Sequence, residues 1–358
     1  MHSLFEPIQL KSGAVMKNRF MLAPLTNQQS HRDGRLSEDE FHWLTMRAQG
    51  GFAITMTCAV HVQANGQGFP GQLGIFNDDQ LEGHRRLAAA IKAEDSLAMV
   101  QLHHAGMRSP AELIDGPPLG PSANEETGVR ALTTTEVETL RDDFIAAAQR
   151  AERAGYSGVE VHGAHGYILC QFLSSQDNQR DDTYGGSLEN RTRLIHEIID
   201  GIAAQCSDEF IIGLRLSPER FGMRLDEVIL LAQQFIDSGH LYFLDMSLWN
   251  CFKMIDDPAY QDQSLISAFT ELDRKDVLLT VAGKIYQPHD AVKCMQAGVD
   301  FVTPGRVAIV HHDYPKQVAQ NSSFKPETLP VTRAHLRQEG LSEKFIDYMS
   351  SWADFVED

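Results

Sequence analysis

Eight short apolar runs recur along the chain, at 19–23, 52–57, 97–102, 158–161, 210–216, 241–246, 277–281 and 300–303. Each is strand-length and rich in small or β-branched residues. Stretches of helical period separate most of them. In 135–154, Thr135 and Glu138 stand at capping-box spacing, and Gly155 lies just past the end. Ser187 opens another stretch, through Asn190, Leu194, Ile198 and Ile202. Two more, 226–238 and 289–297, follow the fifth and seventh runs. This alternation predicts an α/β chain folded as a (β/α)8 TIM barrel rather than a doubly wound sheet.

A barrel of this kind accommodates all 358 residues as a single domain, 1–358. No linker or repeat divides it. The turn-rich run Asp115-Gly116-Pro117-Pro118-Leu119-Gly120-Pro121 reads as an insertion after strand three, a lid over the barrel mouth. The tail 325–358 carries Phe345, Tyr348, Trp352 and Phe355. That stripe suits a helix packed on the barrel, or alternatively a contact with a second copy in a homo-oligomer.

Charge narrows the partners. With 49 acidic against 31 basic residues the net charge is −18, which argues against nucleic acid or an anionic membrane as the main partner. One local basic pocket for a small phosphate is still compatible. The five cysteines, Cys58, Cys170, Cys206, Cys251 and Cys294, form no Cys-x-x-Cys pair, so zinc, iron–sulfur and disulfide frameworks are not expected. Scattered thiols suit a reducing cytosol. The apolar run 52–60 is far shorter than the roughly 20 residues of a membrane span. The first residues lack the basic and apolar regions of a secretory signal, so a cytoplasmic location is expected.

In a barrel the site forms where the strands end. Strand one ends in Ala23-Pro24-Leu25-Thr26, and strand two in Thr57-Cys58. Strand three brings Gln101, then His103-His104-Ala105-Gly106, and strand five brings Arg215. Strands seven and eight end in Gly283-Lys284 and Gly305-Arg306. Glycine followed by a cation at both positions suits a phosphate: backbone N–H groups approach closely and the cations add charge-assisted bonds. Arg215 in an apolar strand needs an anionic or multi-acceptor partner, and Gln101 offers both a donor and an acceptor. A flat heterocycle would satisfy both, and so would a protein network.

Strand four is the richest. Val159-Glu160-Val161 runs into His162-Gly163-Ala164-His165-Gly166-Tyr167. Two imidazoles and a phenol can hold an oxygen and deliver a proton. The competing readings are a metal pair lacking its third ligand, histidines that merely pack in the core, and His162 capping the next helix.

These residues resemble the old yellow enzyme family of FMN-dependent ene-reductases over almost the whole chain. The resemblance rests on Leu4-Phe5-Glu6-Pro7-Ile8 with Lys17-Asn18-Arg19, on 101–106, on 162–167, on the run 178–191 and on Pro304-Gly305-Arg306. It implies FMN as cofactor and NAD(P)H as reductant. It further implies that Ala23, Pro24, Leu25 and Thr26 line the flavin, and that Thr57 and Gln101 contact its pyrimidine side. Arg215 would stand by N1, with Gly283, Lys284, Gly305 and Arg306 at the phosphate. His162 and His165 would bind the carbonyl oxygen of an α,β-unsaturated substrate, and Tyr167 would supply the proton in a ping-pong cycle. The stretch 178–191 is expected to be structural, locked onto the helix that follows.

The chain departs from one branch of that family, with Thr26 in place of cysteine and Gln28 in place of tyrosine. That branch's arginine finger to a neighbouring subunit has no clear equivalent in the tail. The segment 247–252 after strand six aligns with nothing definite and is expected to shape substrate choice. Other acceptors, such as nitro compounds or quinones, stay open, as do a metal-dependent barrel hydrolase and a non-catalytic flavin carrier.

Overall fold

A computed structural model describes residues 2–260 and 262–357. Its centre is an eight-stranded parallel sheet. We number its strands β1 (Met21–Leu22), β2 (Ile54–His61), β3 (Leu97–His103), β4 (Gly158–Gly163), β5 (Ile211–Leu216), β6 (Phe243–Ser247), β7 (Leu278–Ala282) and β8 (Phe301–Val302). Neighbours in sequence are neighbours in the sheet. A bridge from Phe20 to Val302 closes the ring, with Val302 N–H donating to the Arg19 carbonyl at 2.9 Å. The expected TIM barrel is therefore present.

Its strands are buried on both faces, as parallel strands covered by helices require. Outside lie α1 (Glu38–Gln49), α2 (Leu81–Lys92), α3 (Thr134–Arg153), α4 (Ile168–Leu173), α5 (Leu188–Gln205) and α6 (Leu225–Asp237). They are followed by α7 (Ser267–Thr270), α8 (Pro288–Gln296), α9 (Arg306–Val310) and α10 (Tyr314–Gln320). The β6–β7 connection is mostly loop, since α7 has only four residues.

Two expectations shift in detail. Helix α3 begins earlier than the Thr135–Glu138 box proposed: Thr133 caps it, accepting from Glu136 N–H, and Glu136 returns a bond to the Thr133 backbone. The run Thr133-Thr134-Thr135-Glu136-Val137-Glu138 offers both boxes, and the Arg130–Glu136 ion pair at 2.8 Å selects the first. Strand β2 runs to His61 rather than Thr57, and its register with β3 shifts between Met56 and Ala59. This bulge lies at Thr57 and Cys58, within the candidate site.

The insertion after β3 holds two 3-10 turns and a two-stranded parallel ladder, Leu119–Gly120 with Arg130–Ala131. The 178–191 stretch pins it. Arg180 donates to the carbonyls of Pro121 and Leu132, and Gln179 N–H donates to Ser122 Oγ at 2.8 Å. Asn178 Nδ2 ties the same stretch to the Phe172 and Tyr184 carbonyls, both at 2.8 Å.

The tail carries α11 (Arg333–Gln338) and α12 (Glu343–Ser350). Phe345 meets Trp43 of α1 edge-on, with centroids 5.4 Å apart. Arg47 of α1 is fully buried and donates to the carbonyls of Trp43, Ala308, Ile309 and Glu339, which staples the tail to the barrel wall.

Candidate active site

Strand periodicity builds the site in two tiers. Side chains two apart on a strand share a face. On β4 this pairs Glu160 with His162, on β6 Asp245 with Ser247, and on β3 Gln101 with His103, while Ser217 follows Arg215 by two just past the end of β5. The first of each pair belongs to a buried polar layer, and the second lies one step nearer the barrel mouth.

The lower layer holds two carboxylates and one guanidinium. Glu160 and Asp245 are fully buried and Arg215 nearly so. Gln101 Nε2 donates to Glu160 Oε1 at 2.7 Å, and Arg215 Nε lies 3.2 Å from Asp245 Oδ2, outside hydrogen-bond alignment. Two negative charges against one positive leave an uncompensated charge in low dielectric. Burial, then the charge of Asp245, pushes the Glu160 carboxyl up to about 8, and burial raises Asp245 as well. At neutral pH the pair therefore holds one proton.

The upper tier carries the histidines. His162 is buried and its Nδ1 has no partner. His165 adopts a left-handed backbone (φ +62°). Its N–H donates to Ser217 Oγ at 3.0 Å, and its Nε2 lies 2.7 Å from Ser247 Oγ. The His162 and His165 rings are 5.1 Å apart, and Tyr167 is 5.4 Å from His162. Tyr167 is clamped between the His103 ring, 4.4 Å away and edge-on, and the Arg108 guanidinium, 4.6 Å from its centroid. Arg108 also donates to the His165 carbonyl at 2.5 Å.

Both site imidazoles are neutral at physiological pH. Burial, then the nearby Arg215 and Arg108 cations, lowers His165 to about 3. Burial, then His165 and His103, holds His162 well below the usual histidine range. A neutral imidazole offers one N–H donor and one acceptor, so each ring can donate one bond to a ligand oxygen. Among the described residues no group of three or more His, Cys, Asp and Glu is arranged to hold a metal ion.

The remaining candidate residues have the following surroundings. Thr57 Oγ, in the β2 bulge, donates to the Cys58 carbonyl at 2.8 Å and accepts from Gln101 N–H at 3.2 Å. Gln101 and Arg215 both enter a protein network, the second of the two readings their sequence context allowed. Ala23 N–H bonds the Pro304 carbonyl at 3.3 Å, closing the barrel beside Gly305. A Cβ on Gly305 would lie 3.5 Å from Leu25 and 3.6 Å from Ala23, so the first and last loops form one surface. Gly283 has φ +156°, and a Cβ there would come to 3.0 Å of Asn250 N and the Trp249 carbonyl carbon. The segment after β6 thus leans on the β7 loop, next to Lys284. Arg306 lies under the Trp352 ring at 5.7 Å.

These features fit FMN. Gly283 with Lys284 and Gly305 with Arg306 suit a phosphate, and the buried His162 Nδ1 is without a hydrogen-bonding partner. Glu160, Asp245, Ser217 and Arg108 were not singled out in the sequence. For Glu160 and Ser217 a signal existed: each is a polar residue two positions from a recognised one, His162 and Arg215.

Comparison with known proteins agrees. Residues 3–324 match the model of the NADH:flavin oxidoreductase / NADH oxidase family. A probable NADH-dependent flavin oxidoreductase YqiG of Bacillus subtilis is 34% identical over 91% of this chain and 90% of its own length. The NADH:fumarate oxidoreductase of Klebsiella pneumoniae is 32% identical over 90% of this chain, which spans only 36% of that larger protein. Among solved structures, an old yellow enzyme homologue from Zymomonas mobilis superposes with a TM-score of 0.80 at 26% identity, covering 97% of this chain and 99% of its own. Morphinone reductase gives 0.79 at 28% identity, covering 93% and 92%. No helix among the described residues is long and apolar enough to cross a membrane. The chain belongs to the NADH:flavin oxidoreductase family, as an old yellow enzyme barrel that uses FMN with NAD(P)H as reductant.

Proposed function

We propose that this protein reduces the activated C=C bond of α,β-unsaturated carbonyl compounds in a ping-pong cycle. FMN, when bound, would supply the hydride chemistry between NAD(P)H and the β-carbon of the acceptor. Pro24, Leu25, Thr26, Thr57, Gln101 and Arg215 would hold the flavin ring, and Gly283, Lys284, Gly305 and Arg306 its phosphate.

The observation that carries the reading is the unpartnered Nδ1 of a buried, neutral His162 beside His165 and Tyr167. Charge develops on the carbonyl oxygen as the β-carbon is attacked, so donors fixed there beforehand lower the barrier. Neutral imidazoles donate one bond each without taking an unpaired cation into a buried site. Ser247 and Ser217 hold His165 in place, a prerequisite for preorganised donors. Tyr167, fixed between His103 and Arg108, gives its phenolic proton to the α-carbon from the side opposite the hydride.

The test separates the half-reactions anaerobically. Tyr167→Phe is expected to leave flavin bleaching by NAD(P)H nearly unchanged and to slow recolouring by cyclohexenone at least 100-fold, within the usual range for a lost general acid (roughly 10²–10⁴). Equal slowing of both steps would remove Tyr167 from the role.

A further inference from the structure

Between the β1 loop, the insertion and the tail lies a cavity of about 690 Å³. The β1 loop supplies Gln28 and Arg32, the insertion supplies Leu113, and α12 supplies Lys344, Asp347 and Tyr348. Its inner end approaches the site through Gln67: a Cβ on the adjacent Gly68 would lie 3.4 Å from the His103 ring, which meets Tyr167 edge-on at 4.4 Å. Its floor is strained. Gln28 has φ +58°, and Gly71 packs so closely that a Cβ would come to 2.4 Å of the Gln28 carbonyl oxygen. Non-glycine residues in that region persist where the surroundings over-determine them, commonly at ligand clamps.

The charge of this cavity runs against the rest of the chain. Asp347 is paired with Arg333 at 2.6 Å, a guanidinium it shares with Glu343. Arg32 and Lys344, both exposed, have no ion pair among the described residues. A neighbouring cavity of about 600 Å³ shares Arg32 and Leu113 but is lined by Glu112, Asp115 and Asp143. In a protein of net charge −18, two uncompensated cations facing one cavity form a local anion site.

We propose that this cavity holds the adenosine-diphosphate portion of the reducing nucleotide, with Arg32 and Lys344 bonding its phosphates. The nicotinamide must reach the histidine site to deliver hydride, so the remainder of NAD(P)H lies outside it. This cavity adjoins the site, has a volume in the range of small-molecule pockets, and carries the complementary charge. Tyr348 and Leu113 give the adenosine apolar surface. The inference rests on NAD(P)H as reductant and is independent of the acceptor, so failure to reduce enones would leave it standing.

The experiment compares Arg32→Ala, Lys344→Ala and the double variant, all as FMN-loaded protein. Both residues are exposed, so folding is retained, which melting curves check. Flavin bleaching is followed with NADH, NADPH and the phosphate-free donor N-benzyl-1,4-dihydronicotinamide, and ADP binding is read by calorimetry. Each single variant is expected to raise the half-saturating nucleotide concentration about tenfold, as loss of one charge-assisted bond implies. The benzyl donor should be unaffected, and ADP binding should be lost in the double variant. Unchanged nucleotide saturation, equal effects on the benzyl donor, or a defect confined to an anionic acceptor would each overturn the assignment.

Discussion

Glu160→Gln should change how stability depends on pH, and the change can be sized from the buried layer. Glu160 is fully buried, and its carboxyl is raised from an ordinary 4.5 to about 8. A group with a raised native pKa contributes stability that is complete below its unfolded pKa and is lost as pH rises through the native value. The buried histidines act in the opposite sense. Burial lowers His61 and His84 to about 4, and His104 and His165 to about 3, so the native state binds fewer protons than the unfolded chain below about 6.5. Stability therefore rises with pH up to about 6.5 and then falls as the Glu160–Asp245 pair resists losing its proton. One extra native proton across pH 6.5 to 8 corresponds to about 2 kcal/mol. Glutamine mimics the protonated acid in shape and hydrogen bonding, so the variant should keep the acid limb and lose the decline. Urea unfolding at half-unit steps from pH 5 to 9 reads this directly. Parallel curves for the two proteins above pH 6.5 would refute the shared proton.

Two further perturbations follow from the same geometry. Ser247→Ala releases His165 Nε2, and should slow the acceptor half-reaction about tenfold while costing stability only about 1 kcal/mol, the net value of one hydrogen bond; stopped-flow and melting curves measure the two. Arg47→Met removes four bonds to backbone carbonyls in a fully buried setting and should destabilise the protein by about 3–5 kcal/mol, read as a large drop in the urea midpoint.

The barrel was legible because parallel strands buried on both faces must be apolar, and helices between them must be capped. Both constraints leave local marks, as at Ser187 and its bond from Asn190 N–H. Boundaries were less legible where two local solutions compete. Thr133 and Thr135 both precede a glutamate by three, and only the tertiary partner Arg130 separates them. The reacting trio was readable because His162, His165 and Tyr167 sit together in sequence. Its support was not, because Ser217, Ser247 and Asp245 come from other strands and meet it only once the barrel closes. Arg108 and Tyr348 lie close to recognised stretches, but only the closed fold brings the insertion and the tail to the barrel mouth.

The tail's attachment gives the mouth two walls of different origin. The wall bearing the imidazoles is made of barrel strands, whose residues also form the core and cannot change freely. The wall bearing Tyr348 and Lys344 belongs to a segment joined through Arg47 and the Trp43–Phe345 contact, at a distance from the reacting groups. Selection can therefore rework one wall while the other stays constant. Swapping residues 340–352 between relatives, with the α1 anchor kept, offers a compact library for altering which molecules enter without rebuilding the chemistry.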